Sequence, residues 1–231
     1  MRGLSALIRV GHKGAAALAP GNTLASFDAA LTAGVDMIEF DVLAVSGRSA
    51  GLYVAHDTGA LDPRDPLTLA AALEHLSTPP FAEIRLQLDL KSAGSEERVL
   101  DALERSAAIS RAFISSGRWS VLERVRALEP TFPLGWTVPG IPGISGTPLS
   151  TPTLGRVYRR LLPRRAAAHL RAGTIDALVP HWRMVTRELV EAVRGAGGEL
   201  YAWTVDDAAE IARLASLGVT GVITNDPRLF A

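Results

Sequence analysis

The sequence predicts an α/β fold of the (β/α)8-barrel (TIM barrel) class, and three observations carry that expectation. Short β-rich runs alternate with helical stretches almost to the end of the chain, the pattern of a parallel sheet wrapped by helices. Nine runs can be counted, and the third lies too close to the second to be its parallel partner. The chemically capable side chains gather at the C-terminal ends of the early runs, where barrel enzymes place their chemistry.

In order, the strand candidates are Leu7–His12, Met37–Val42, Leu52–His56, Ile84–Lys91, Ala112–Ser115, Leu134–Val138, Ala177–Pro180, Leu200–Val205 and Gly221–Thr224. A parallel partner requires a crossover of about a dozen residues or more. Only LAVSGRSAG separates Val42 from Leu52, so Leu52–His56 is the antiparallel return arm of a hairpin. Eight strands remain, the number of a closed barrel, although an open doubly wound sheet shows a similar alternation. Helix signals fill the gaps: Asn22 is placed to cap a helix carrying Leu24, Phe27 and Leu31 on one face, and Gly34 to end it. Ser95–Ser106, Trp119–Leu128, Thr186–Gly195 and Asp207–Leu217 read the same way, and His75 falls in the helical ALEHLS. Pro139–Arg171 is too long for an ordinary connection. It starts rich in Pro, Gly, Ser and Thr and turns arginine-rich; it reads equally as a surface excursion with solvated arginines or as a segment whose helix, within Gly155–Leu170, forms one wall of the site.

Size and composition bound the function. The 231 residues, 48% of them hydrophobic, suffice for one barrel domain spanning 1–231, with no large cap insertion. Twenty-four basic side chains balance 24 acidic ones, so no overall field gathers nucleic acid, and any anion must be held locally. With no cysteine, a metal must sit on oxygen or imidazole. The N-terminal MRGLSALIRVGHKG reads as a first strand rather than a signal peptide. No window approaches the roughly 20 apolar residues of a membrane span, and a cytoplasmic location is expected.

The candidate residues are His12 and Lys13, Glu39 and Asp41, His56 and Asp57, and Asp89 and Lys91. Glu39 and Asp41 are two apart on a strand and so project to one side; Asp89 and Lys91 repeat the spacing. Three carboxylates converging on one mouth repel one another unless a cation neutralises them, and hard oxygen donors suit Mg2+ or Ca2+. Taken singly, each residue also has a structural reading as a salt bridge or hydrogen-bonded histidine; their coincidence at strand ends points to a site. Only Lys13 and Lys91 are lysine among the 24 basic residues, and both lie in this cluster. A compact ammonium does what a planar guanidinium does not.

These residues, with the blocks VGHKGAAALAPGNTLASFDAAL, AGVDMIEFDV, VAHD, LQLDLKS, AFISS, LYAWTV and GVITNDP in order, resemble the glycerophosphodiester phosphodiesterase family over nearly the whole chain. The resemblance implies a barrel of the PLC-like phosphodiesterase type. It makes His12 and His56 the acid/base pair and Glu39, Asp41 and Asp89 the ligands of one divalent metal. It sets Lys13 and Lys91 against the phosphate and Trp203 in the pocket wall. The expected reaction is hydrolysis of a small glycerophosphodiester to sn-glycerol 3-phosphate and an alcohol, by water or through a neighbouring glycerol hydroxyl. A lysophospholipid is the alternative substrate, and a degenerate, non-catalytic metal- or phosphate-binding barrel the alternative class.

The chain departs from the family pattern at four places. Lys13 replaces the usual arginine, exchanging a bidentate fork for a point charge. Gly21 stands where the family has glutamate. Asp89 is shorter than the usual glutamate by about 1.5 Å, one carbon–carbon bond. The segment from His56 to Asp89 is much shorter than in relatives that carry a helical cap there.

Overall fold

The computed structural model describes residues 6–47, 50–62, 64–138 and 152–231, with side chains from residue 157 onward in the last stretch. One sheet contains β1 (Ile8–Gly11), β2 (Met37–Val45), β3 (Gly51–Val54), β4 (Arg85–Leu90), β5 (Ala112–Ser116), β6 (Leu134–Val138), β7 (Ala177–Pro180), β8 (Glu199–Ala202) and β9 (Gly221–Thr224). Eight of them run parallel around a closed circuit, β1 pairing with both β9 and β2. β3 is antiparallel to β2, with Val42 opposite Val54 and Val45 opposite Gly51. The short loop after β2 leaves no room for a crossover, so β3 stands outside the barrel count as expected. The helices are α1 (Leu24–Thr32), α2 (Leu69–Leu76), α3 (Glu96–Arg105), α4 (Trp119–Leu128), α5 (Pro152–Arg171), α6 (Arg187–Gly195) and α7 (Ala208–Leu217). Among the described residues no helix is long and apolar enough to cross a membrane.

Strand alternation separates two cores. On β2, Ile38, Phe40 and Val42 join the core between sheet and helices, while Met37 belongs to the inner cluster with Val10, Phe113, Ala177, Val179, Tyr201 and Ile223. Phe113 and Tyr201 stack in that plug at 5.6 Å between ring centroids. Glu39 and Asp41 continue Met37's inward series toward the mouth. Gln87, Asp89 and Lys91 do the same on and just beyond β4. The barrel thus seals its interior with apolar side chains and reserves the strand ends for polar ones.

The chain leaves β1 through Gly11-His12-Lys13-Gly14, a turn that requires both glycines. A Cβ on Gly11 would lie 2.1 Å from the Gly14 carbonyl oxygen. Gly14 has φ +80°, and a Cβ there would lie 2.5 Å from Ser26 Oγ. The cap of α1 differs from the expectation by one residue. Thr23, not Asn22, accepts from the Ser26 amide at 3.2 Å, and the Ser26 hydroxyl closes a capping box. Asn22 is held at φ +62° with its side chain turned into the barrel mouth. Both residue types cap helices well, and the carboxylate of Asp41 decides between them.

A helix covers the expected Gly155–Leu170, extending from Pro152 to Arg171. Its described side chains do not wall the mouth. Leu162, Ala166 and Leu170 are buried in the core between helices and sheet, because a β–α–β crossover must lay its apolar stripe on the barrel's outside. The rest of the long connection, residues 139–151, lies outside the described residues.

Candidate active site

A cleft of about 190 Å³ opens at the C-terminal ends of the strands, lined by His12, Lys13, Glu39, His56, Gln87, Asp89, Lys91, Thr137, Val179, Trp203 and Ile223. Seven of the eight expected site residues line it. The eighth, Asp41, is buried just behind, within reach of His56, Lys13 and Lys91. Asp57, also at this strand end, turns away and accepts from the amides of Gly59 and Ala60.

Lys13 is held at φ +52°, a conformation that costs a non-glycine residue about 1–2 kcal/mol. It aims the Lys13 amide at Glu39 Oε2, which accepts at 2.9 Å. A Cβ on Gly21 would stand 3.0 Å from Lys13 Cβ, so the lack of a side chain at position 21 leaves the space in which the lysine stem lies.

Lys91 Nζ sits 2.8 Å from Asp41 Oδ1 and 2.5 Å from Asp89 Oδ2. Lys13 Nζ and His56 Nδ1 each approach Asp41 Oδ2 to 3.4 Å. Burial works against the Asp41 charge, yet Lys91 and Lys13 hold its pKa well below the ordinary value. Glu39 goes the other way: burial first, then the negative charge of Asp41, pushes its pKa up. Lys91, despite its own burial, is raised by Asp89 and Asp41 and stays charged.

Asn22 completes the support of Asp41. Its Nδ2 donates to Asp41 Oδ2 at 2.9 Å and its Oδ1 accepts from the Asp41 amide at 3.1 Å. Asp89 Oδ1 accepts from the hydroxyls of Ser115 and Thr137, both at 2.7 Å. Ser115 is the cross-strand partner of Asp89 and also accepts from Gln87 Nε2 at 3.0 Å. Gln87 Oε1 is buried without a hydrogen-bond partner.

His12 is oriented from behind. Its Nδ1 lies 2.6 Å from Asn225 Oδ1, and Asn225 Nδ2 donates to Asp206 Oδ2 at 2.6 Å. Because the amide nitrogen is committed to a carboxylate, the oxygen faces the ring, and His12 carries its proton on Nδ1. Nε2 is left free, 3.9 Å from Glu39 Oε2. Burial lowers the His12 pKa, outweighing the Asn225 hydrogen bond. His56 differs: its side chain is 53% exposed, against 19% for His12. Gln87, Ser115, Thr137, Asp206 and Asn225 are not singled out by the sequence, and Asn22 is expected there only as a helix cap. Only Gln87 left a usable signal there, through the alternation Gln87-x-Asp89-x-Lys91.

The donor set accommodates a hard divalent cation at Glu39 and Asp41. One Glu39 oxygen takes no hydrogen bond, and burial and repulsion penalise its charge. Asp41 Oδ1, although close to an ammonium, is buried without a well-aligned hydrogen bond. Asp89 is committed elsewhere, both oxygens being engaged by Ser115, Thr137 and Lys91. Among the described residues no three His, Asp or Glu side chains stand at metal-ligand spacing, because Lys91 bridges Asp41 and Asp89.

Comparison with known proteins finds relatives along nearly the whole chain and solved structures of the same fold. The chain is 25% identical over 254 residues to a glycerophosphodiester phosphodiesterase of Caldanaerobacter subterraneus, covering 94% of this chain and 93% of that one. The crystal structure of a glycerophosphodiester phosphodiesterase from Parabacteroides distasonis superimposes with a TM-score of 0.72 at 18% identity, over 96% of this chain and 94% of that one. An Oleispira antarctica phosphodiesterase, solved in complex with the product sn-glycerol-3-phosphate, has a TM-score of 0.72 at 21% identity, over 95% and 93%. The model of the glycerophosphoryl diester phosphodiesterase family matches residues 12–59 and 83–229, so the chain belongs to that family of phosphoric diester hydrolases.

Proposed function

We propose that this protein hydrolyses small glycerophosphodiesters to sn-glycerol 3-phosphate and an alcohol by two-histidine acid/base catalysis, with a divalent cation held by Glu39 and Asp41 and joined by Asp89 once Asp89 releases Lys91. The observation that carries the reading is the pairing, at one cleft, of a partly buried histidine anchored through Nδ1 to Asn225 with a more exposed one beside the Asp41 carboxylate. The product bound by the Oleispira relative supports the glycerophosphate assignment.

His12, with its proton on Nδ1 and its pKa lowered, offers the Nε2 lone pair as general base to the nucleophile, water or a neighbouring glycerol hydroxyl. His56, beside Asp41, donates a proton to the departing alcohol oxygen. Lys13 and Lys91 bring ammonium groups to the cleft for the phosphate oxygens. Trp203 spends its indole N–H on the Val179 carbonyl at 2.8 Å, so it offers the substrate an apolar face. A bound Mg2+ or Ca2+ would supply further charge stabilisation to the non-bridging oxygens. Glu39 and Asp41 have oxygens left for it, and Asp89 joins them only on releasing Lys91.

The test is incubation with glycerophosphocholine and with lysophosphatidylcholine, products followed by phosphorus NMR. Release of glycerol 3-phosphate from the first is expected. Turnover of only the lysophospholipid would replace the small diester with a lipid substrate, and turnover of neither would leave a binding barrel.

A further inference from the structure

The chain is electrically neutral as a whole, yet it holds no aspartate or glutamate between Glu129 and Asp176. Within that interval α5 carries six arginines: Arg156, Arg159, Arg160, Arg164, Arg165 and Arg171. Among the described residues none of the α5 arginines is in an ion pair with a carboxylate. Positions 157, 160, 161, 164, 168 and 171 fall at the three- and four-residue spacing of one helix face, and all six are exposed. That face presents Val157 and Leu161, each 49% exposed, among Arg160, Arg164 and Arg171. Among the described residues the only other exposed large hydrophobic, Leu18, is less exposed than either, at 37%.

We infer that the outward face of α5 docks the protein on an anionic lipid bilayer. Guanidinium groups with interleaved apolar side chains match the headgroup–acyl boundary, where the charges meet phosphate and the apolar groups leave water. Attraction to a nucleic acid would use the arginines but give no return on exposing Val157 and Leu161. By barrel topology α5 starts at the mouth of the strands, so its apolar end lies on the side where the cleft opens. The inference stands on this helix alone and is independent of the reaction assigned above.

Sedimentation with vesicles tests it. Wild-type protein should co-sediment with vesicles of equal parts phosphatidylglycerol and phosphatidylcholine, release as salt rises, and ignore pure phosphatidylcholine. Arg160→Gln/Arg164→Gln/Arg171→Gln should weaken partitioning about a hundredfold, the scale for three lost cationic contacts at an anionic surface. Val157→Ser/Leu161→Gln should weaken it about tenfold while glycerophosphocholine turnover stays at the wild-type rate. Wild-type protein remaining in the supernatant overturns the inference, as does wild-type partitioning of the triple-arginine variant. So does wild-type partitioning of the apolar variant with equally tight binding of single-stranded DNA, which would reduce the helix to a general polyanion attractor.

Discussion

His12 Nδ1 and Asn225 Oδ1 are 2.6 Å apart, and this contact between the first and last strand ends of the barrel selects the tautomer of the histidine read as general base. Asn225 is held in turn by Asp206 through its backbone amide at 2.8 Å and its side-chain amide at 2.6 Å. Replacing Asn225 with leucine should lower kcat about tenfold to a hundredfold, since a misdirected base loses most of its contribution. The pH profile separates orientation from a general structural effect. A base works unprotonated, so kcat/KM falls below its pKa. Burial already sets His12 below the ordinary 6.5, and the Asn225 hydrogen bond favours the protonated ring. Its loss should move the acid limb to lower pH, and an unmoved limb would separate Asn225 from the titration of His12.

His12→Ala and His56→Ala should each reduce turnover at least about a hundredfold. Controls come from histidines away from the cleft: His75 pairs with Asp28 at 2.8 Å, and His169 stacks on Trp119 at 4.2 Å between ring centroids. His75→Gln and His169→Gln should turn over like wild type. Normal turnover in either alanine variant would break the assigned acid/base pair.

Cation binding should be visible without catalysis. A group with a raised folded pKa stabilises the fold below its unfolded value, and that contribution is lost as pH rises through the folded pKa. Glu39 behaves this way, so deprotonating it burdens the fold at neutral and higher pH. Asp41 is opposite: its contribution is present above its ordinary 3.8 and lost as pH falls through the depressed value. Ca2+ or Mg2+ at Glu39 must displace or forestall its proton, so the cation-induced rise in Tm should grow from pH 5 to pH 8. Glu39→Gln should abolish that growth. Chelation should abolish turnover and readdition restore it; a Tm insensitive to cation at both pH values would dissolve the proposed site.

How much of this was legible in advance depends on whether a residue's role is set along its own strand or across strands. The inward projection of Glu39 and Asp41 follows from a period of two within β2, and the hairpin from the brevity of LAVSGRSAG. The support of Asp89 by Ser115 and Thr137 depends on register between β4 and β5 and on reach to β6. No local pattern announces either. Asn22 shows the same limit, since next to Thr23 it reads as a helix cap until the position of Asp41 is known. The role of α5 is not readable from sequence because a long arginine-rich connection after a strand signals a lid as readily as an ordinary barrel helix, and among its described side chains Leu162, Ala166 and Leu170 pack in the core.

Asn22 also supplies the cleanest test of how the site is braced. Two changes are combined there: hydrogen bonds to buried Asp41 and a backbone at φ +62°. Asn22→Gly keeps the backbone accessible and removes both side-chain bonds. It should cost about 1–3 kcal/mol, the range for leaving buried polar groups unsatisfied. Asn22→Ala removes the same bonds and adds a Cβ in the left-handed region, for a further cost of about 1–2 kcal/mol. Urea midpoints should therefore fall in the order wild type, Asn22→Gly, Asn22→Ala. Turnover should drop in both variants by a similar factor, because both leave Asp41 equally unsupported between His56 and the two lysines. A glycine variant with wild-type stability and turnover would show that Lys91 and Lys13 suffice to hold Asp41, and that Asn22 is kept only for its turn.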